Sequence, residues 1–385
     1  MTRRRFVSLL GGASAGLFFE GCTRSRNPLG SETALEGDQV PLPRHNGPGS
    51  GVNSAALARV AVAEAASYDR GVIKNQVEAM FGALGGLADI IRPGDRVGIK
   101  INLTGGTSYF NRISTPPFEL YLTHPEIVRA VGELCLDAGA AKIYVLESVY
   151  EWESFTCVDP ASGLSHESVA KALGGEVCDT NQKTPFSGYA RQPVAGGGLI
   201  YDELMLNGRY QEIDCFISLP KAKRHASAGI THAMKNLVGI LPVPSGLYNN
   251  GAGHRAGIHD HTHGNSDLCR VILDLNRARP IHLSVNDAVF TCLKGEGPWG
   301  SAGSGLNQER FNTLIAAKSD MVAADSVATS VLGYDPMSAD FSVPFPGCLN
   351  YLKLAHEMGM GICDPAQIEV VDASGNTRVE RRGGG

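Results

Sequence analysis

The chain predicts an α/β fold, a mainly parallel or mixed sheet flanked by helices, and three observations carry that prediction. From about residue 58 onward, apolar runs of strand length alternate with segments of 3.6-residue periodicity. No repeat at solenoid spacing interrupts the alternation. With 385 residues, 43% hydrophobic and 19% charged, the chain can bury a full core and is not a disordered protein.

Taken in order, Arg59–Val62 and Arg96–Asn102 read as strands around a helix from about Val72 to Ala88, whose Val77, Phe81 and Leu84 share one face. Thr123-His124-Pro125-Glu126 opens the next helix with capping-box spacing and an early proline. Ile127, Val128, Val131, Leu134 and Cys135 form its stripe until Gly139 ends it. Lys142–Glu147 is a strand, and so is Glu212–Ser218, stopped by Pro220 because proline cannot donate to a central ladder. His282–Val285 (strand), Asp320–Leu332 (helix), Leu349–Met358 (helix) and Ile368–Val371 (strand) complete the alternation.

These elements predict a single α/β domain over residues 55–375, with a division into two lobes near 190–210 as the alternative, and a disordered tail at 376–385. Residues 1–22 read as a twin-arginine export signal, since Arg3-Arg4-Arg5 precede a short apolar run, Val7–Phe19. That run is shorter than the about 20 residues that span a bilayer. The expected location is the periplasm or outer cell surface, with the twin-arginine translocation machinery as a partner. Phe19-Glu20-Gly21-Cys22 approximates a lipoprotein box in which Glu20 does not fit, so membrane contact is expected only through the signal or a lipid anchor at Cys22. Residues 23–54, rich in Gly, Pro, Ser and Arg, read as a flexible linker.

A net charge of -5 argues against a general nucleic-acid binder. The nine cysteines include no Cys-x-x-Cys pair, so no ferredoxin-type iron-sulphur cluster is expected.

Within this acidic chain, positive charge gathers at one place. Lys221, Lys223, Arg224 and Lys235, with His225, His232, Thr231 and Asn236, follow the strand that ends near Pro220. Ligands of open α/β sheets sit beyond such strand ends. Lys221 and Lys223 project to one side of an extended chain, and a helix starting after Thr231 adds amide donors, so a small carboxylate or phosphate is the expected ligand. A solvated basic loop is the plainer alternative. Lys100 and Asn102 end another apolar strand. A lysine there must reach the strand end, pair with Asp287 or Glu147, or serve a ligand, where it could also act as a base.

His259, His261 and His263 face one way in an extended segment, and His259 and His261 in particular suggest a divalent metal, zinc or iron; a mobile polar loop is the other reading. Asp287 stands open as general base, metal ligand or partner of Lys100. Gly295-Glu296-Gly297-Pro298 reads as a loop that lets backbone approach a ligand. Asp325, in a helical pattern, reads as a supporting residue, and His232 as a buried histidine.

Val97–Asn102, Thr123-His124-Pro125, Asp137-Ala138-Gly139-Ala140, Leu219–Lys223, Thr231 with Lys235-Asn236-Leu237-Val238-Gly239, Gly295–Pro298, Ala323–Ala328 and Gly359-Met360-Gly361 occur in an order that resembles the domain-of-unknown-function family 362 over residues 58–372. The resemblance implies no activity. Iron-sulphur modules appended in some members do not carry over, and Asp287-Ala288 stands where Asp-Gly is common, which puts a tight turn there in doubt. The family pattern also singles out His259 among its neighbouring histidines. Two readings follow: an exported enzyme using Lys100, His225 and Asp287 on an anionic substrate held by Asn102, Lys221, Lys223, Thr231, Lys235 and Asn236, or a non-catalytic carrier of a metal or anion.

Overall fold

The computed structural model describes residues 58–108, 113–181, 188–242, 266–298 and 306–377, and one eight-stranded sheet organises them. The amino-terminal half comprises β1 (Ala58–Glu64), α1 (Arg70–Ala83), β2 (Arg96–Lys100), α2 (Pro117–Leu120), α3 (Pro125–Asp137), β3 (Lys142–Glu147), α4 (Glu153–Thr156), α5 (His166–Ala172) and β4 (Glu176–Asp179). The middle adds β5 (Tyr189–Pro193), β6 (Glu203–Asn207), α6 (Arg209–Glu212), β7 (Cys215–Ser218), β8 (Lys223–His225), β9 (Gly229–Thr231) and α7 (Ala233–Asn236). The rest is α8 (Ser266–Ala278), β10 (Leu283–Cys292), β11 (Gln308–Lys318), α9 (Met321–Val331), α10 (Tyr351–Glu357) and β12 (Ile368–Asp372).

The sheet order is β12-β1-β11-β10-β7-β2-β3-β4. β11 runs antiparallel to both neighbours and the other pairings are parallel, so the sheet is mixed and mostly parallel. Hairpins β5–β6 and β8–β9 stand outside it. Alternate residues feed opposite faces: Ile143 and Val145 join the apolar layer under α1 and α3, while Tyr144 and Leu146 join the layer that holds α8 and α10. Burial on both faces is what a parallel sheet requires, and it explains the nearly continuous apolar runs. All described residues fall in one compact unit, and no helix among them is long and apolar enough to cross a membrane.

The structure departs from the sequence reading in several places. α1 stops at Ala83, short of Ala88, because Gly85 and Gly86 adopt φ of 85° and 79°, where helical geometry cannot continue. β7 begins at Cys215 because Arg209–Glu212 form a helical turn first. α3 is capped by His124, not Thr123: the imidazole Nδ1 accepts the Glu126 amide at 3.1 Å, while the Thr123 hydroxyl donates to Leu219 O at 2.6 Å. β10 continues to Cys292, so Asp287 lies inside a strand with a register shift between Ala288 and Phe290, and no tight turn forms there. The signal segment, Cys22, the 23–54 linker, most of the tail, His259 and His261 lie outside the described residues.

Candidate functional site

The carboxyl ends of β2, β3 and β7 bring Lys100, Glu147 and Ser218 side by side, since Lys100 is in register with Leu146 and with Ser218. α7 and the turn after it pack over these ends. The result is a cleft of about 80 Å3 lined by Lys100, Asn102, Glu147, His225, Lys235, Asn236, Gly239 and Glu296, among others.

At the back of the cleft, Lys100 is fully buried, and its ammonium donates to Glu147 Oε2 at 2.9 Å, Ile101 O at 2.5 Å and Asn236 Oδ1 at 3.3 Å. Glu147 Oε2 also accepts the Leu103 amide at 3.0 Å. Of the pairings open to Lys100, the structure selects Glu147. The Asn236 amide group is clamped between Lys100 O and Ser218 Oγ, and Asn102 Nδ2 donates to Asn236 Oδ1 at 3.3 Å. Asn102 Oδ1 is buried and has no hydrogen-bond partner among the described residues, which leaves a strong acceptor at the cleft. Gly239 makes this packing possible: a Cβ there would lie 2.4 Å from both Lys100 Nζ and Glu147 Oε1.

His225 and Glu296 form another part of the lining as a close imidazole–carboxylate pair. His225 Nδ1 accepts the Ser227 and Ala228 amides at 3.1 Å each, so the ring proton sits on Nε2, facing the Glu296 carboxylate. Burial lowers the His225 pKa, opposed by Glu296 and reinforced by Lys235 and Lys223. Burial alone would raise the Glu296 carboxyl, but His225, Lys235 and Lys223 outweigh it and hold the group well below the usual carboxylate range.

Lys221 and Lys223 stand apart from the cleft lining. Both reach α2 and its end, and both are fully buried. Lys221 Nζ meets Asp287 Oδ2 at 2.5 Å, Tyr68 Oη at 2.7 Å and Glu119 O at 2.9 Å. Asp287 is therefore the partner of Lys221 and not of Lys100, a pairing that is one of the roles the sequence leaves open for it. Lys223 Nζ donates to the carbonyls of Tyr121 and Glu296 at 2.7 Å each, and burial pushes its pKa down to about 8. Thr231 is buried in β9, and its hydroxyl has no hydrogen-bond partner among the described residues.

The helix start after Thr231 is not the anion cradle that the sequence suggests. α7 has four residues, and the Asp325 carboxylate takes its Ala233 and Met234 amides at 2.8 and 2.9 Å. Burial raises the Asp325 pKa to about 7, against the pull of these amides. His232, at the start of α7, is buried and its pKa falls to about 3, so it is neutral at pH 7. Among the described residues, no group of three or more His, Cys, Asp and Glu side chains is disposed to hold a metal ion.

The fold and cleft define a class, an α/β protein with a lysine- and carboxylate-lined cleft beyond the ends of its parallel strands. A family model described as a domain of unknown function, DUF362, matches residues 97–330, and the chain belongs to that family. The thylakoid-associated protein sll1697 of Synechocystis sp. is 28% identical over 277 residues, 72% of this chain and 75% of that protein. A solved structure of the lactate racemase apoprotein from Thermoanaerobacterium thermosaccharolyticum superposes with a TM-score of 0.35 and 13% identity, covering 76% of this chain and 60% of that one.

The carboxylates are what sequence reasoning underweighted. Glu296 stood only within a glycine loop and Glu147 only as one option for Lys100, since neither has a spacing that announces its partner.

Proposed function

We propose that the chain is an exported enzyme that binds a small carboxylate or phosphate in the cleft. The observation that carries this reading is the convergence of Lys100, Asn102, His225, Lys235 and Asn236 with Glu147 and Glu296 on one cavity. Around it, Lys100, Lys221, Lys223 and Lys235 face three carboxylates, Glu147, Asp287 and Glu296. Lys223 is held by two backbone carbonyls. Within the cleft itself Lys100 and Lys235 stand among Glu147 and Glu296, and a lysine ammonium in a low-dielectric setting attracts an anion strongly.

The cavity is small against the about 300 Å3 at which ligand pockets begin, so it suits a small acid or the acid end of a larger molecule. In this reading Lys235 holds the anion and Asn102 Oδ1 accepts from a ligand hydroxyl or acid proton. The His225–Glu296 pair passes a proton to or from the ligand, and Lys100 is a positioning residue whose hydrogen bonds fix Glu147 and Asn236. A non-catalytic binder needs the same cations but no acid–base pair, and His225 against Glu296 on the cleft wall favours turnover. Export rests on residues 2–19, and metal chemistry on His259 and His261; both remain proposals from the sequence.

Lys223 makes the reading pH-dependent. Its folded pKa, about 8, is depressed, so it carries charge below that pH and loses it above. Affinity for acetate, whose own charge is constant over this range, is expected to fall about tenfold as pH rises through about 8, the effect of about 1.4 kcal/mol of lost attraction. Calorimetric titration from pH 6.5 to 9.5 measures this. Lys223→Met should bind weakly throughout and lose that limb, whereas a flat wild-type profile counts against the role of Lys223.

A further inference from the structure

A second cavity, of about 300 Å3, shares no lining residue with the cleft. It is bounded by Tyr68, Arg70, Glu119, His124, Asp159 and Arg310, among others. Tyr68 and His124 form its platform, with ring centroids 4.0 Å apart and planes within 6°. The Tyr68 hydroxyl accepts from Lys221 and donates to Asp287 at 2.9 Å, so the buried ion pair fixes the stack from behind.

Two polar atoms of this cavity lack hydrogen-bond partners among the described residues, His124 Nε2 and Asp159 Oδ1. Both side chains are buried, at 1% and 0% exposure. Because His124 Nδ1 accepts the Glu126 amide, the ring proton sits on Nε2, and burial, with Lys221 adding to it, keeps the ring neutral. Nε2 is thus a donor. Asp159 Oδ2 accepts both the amide and the hydroxyl of Ser162 at 2.7 Å, which leaves Oδ1 as a carboxylate acceptor. His124 Nε2 and Asp159 Oδ2 stand 3.7 Å apart, so donor and acceptor lie side by side.

Of the other lining carboxylates, Glu119 faces Arg310 at 3.6 Å, Glu126 pairs with Arg129, and Asp69 is exposed and accepts from the Ser67 hydroxyl. Among the described residues Asp159 makes no ion pair with a lysine or arginine; its neighbour of cationic type is the neutral His124. A buried carboxylate so placed calls for a cation, and the adjacent N–H calls for an acceptor. Arg70 and Arg310, with 61% and 44% of their side chains exposed, add positive charge at the mouth. A metal ion fits poorly, since the nitrogen facing Asp159 carries the ring proton and the other is occupied.

We propose that this cavity binds a free α-amino acid, with the ammonium on Asp159 Oδ1 and the carboxylate accepting from His124 Nε2 and drawn by Arg310. An α-amino acid carries its ammonium and its carboxylate on one carbon, which suits a donor and an acceptor set side by side.

The test is calorimetric titration of the full chain at neutral pH with each of the standard amino acids at millimolar concentration. At least one is expected to bind saturably. Its decarboxylated amine, and the same amino acid against Asp159→Asn, should bind about tenfold more weakly or less. Lys235→Met, which alters the other cleft, should bind it as wild type does. No saturable amino acid, equal binding of the bare amine, or undiminished binding by Asp159→Asn would overturn the proposal. Should Asp159→Asn fail to fold, Arg310→Met at the exposed rim carries the test, and unchanged affinity there overturns it equally.

Discussion

Replacing Asp287 with alanine is expected to lower the unfolding free energy by about 3–5 kcal/mol at pH 7, several times the about 0–1 kcal/mol of a surface ion pair. Lys221 and Asp287 are 0% and 1% exposed, so water cannot take the place of the missing carboxylate. The substitution also removes the acceptor for the Tyr68 hydroxyl and for the Val289 amide, the latter at 3.0 Å. Burial already lowers the Lys221 pKa, with Asp287 as the main opposing influence. Without Asp287 the amine is driven toward its neutral form. The double variant Lys221→Met/Asp287→Leu should recover most of the loss, because removing both charges removes the desolvation cost together with the attraction. Urea denaturation with an unchanged slope measures both. A single-variant loss under about 1 kcal/mol would mean that the pair is not buried as described.

Glu147→Ala should cost about 3 kcal/mol, toward the lower end of the same range. It strips Lys100 of its carboxylate and the Leu103 amide of its acceptor. The difference from Asp287 is access: Glu147 lines the cleft, so water can enter the space left beside Gly239 and solvate the ammonium. Glu147→Gln keeps an acceptor and should lose less. The same denaturation measurement ranks the three variants, and an Asp287→Ala loss smaller than that of Glu147→Ala would contradict this view of the two sites.

What the sequence disclosed follows from range. The strands around Val97–Ile101 and Ile143–Leu146 were legible because burial on both faces leaves unbroken apolar runs. β11 was not, because Gln308–Asn312 is polar and exposed to half-buried, and Asn312 adopts φ of 50°. The cations stood out because an acidic chain concentrated them after one strand. Their carboxylates did not, because Lys100 and Glu147 are 47 residues apart and only the parallel register of β2 and β3 joins them. The cap of α3 misled for a local reason: Thr123 fits the capping pattern, but its hydroxyl is engaged by Leu219 O and the Asn102 amide, so His124 takes the role. Tyr68, His124 and Asp159 carry no shared motif, and only folding stacks two of them and sets the third alongside.

The central claim, an anion held by Lys235 in the cleft that Asn102 also lines, is tested most directly by calorimetric titration of the full chain at pH 6.5 with inorganic phosphate and with acetate, in wild type and in Lys235→Met. The account predicts saturable binding of at least one of them by wild type, weakened about tenfold or more in Lys235→Met at unchanged folding stability. Wild type that binds neither anion, or Lys235→Met that binds as tightly as wild type, would contradict it.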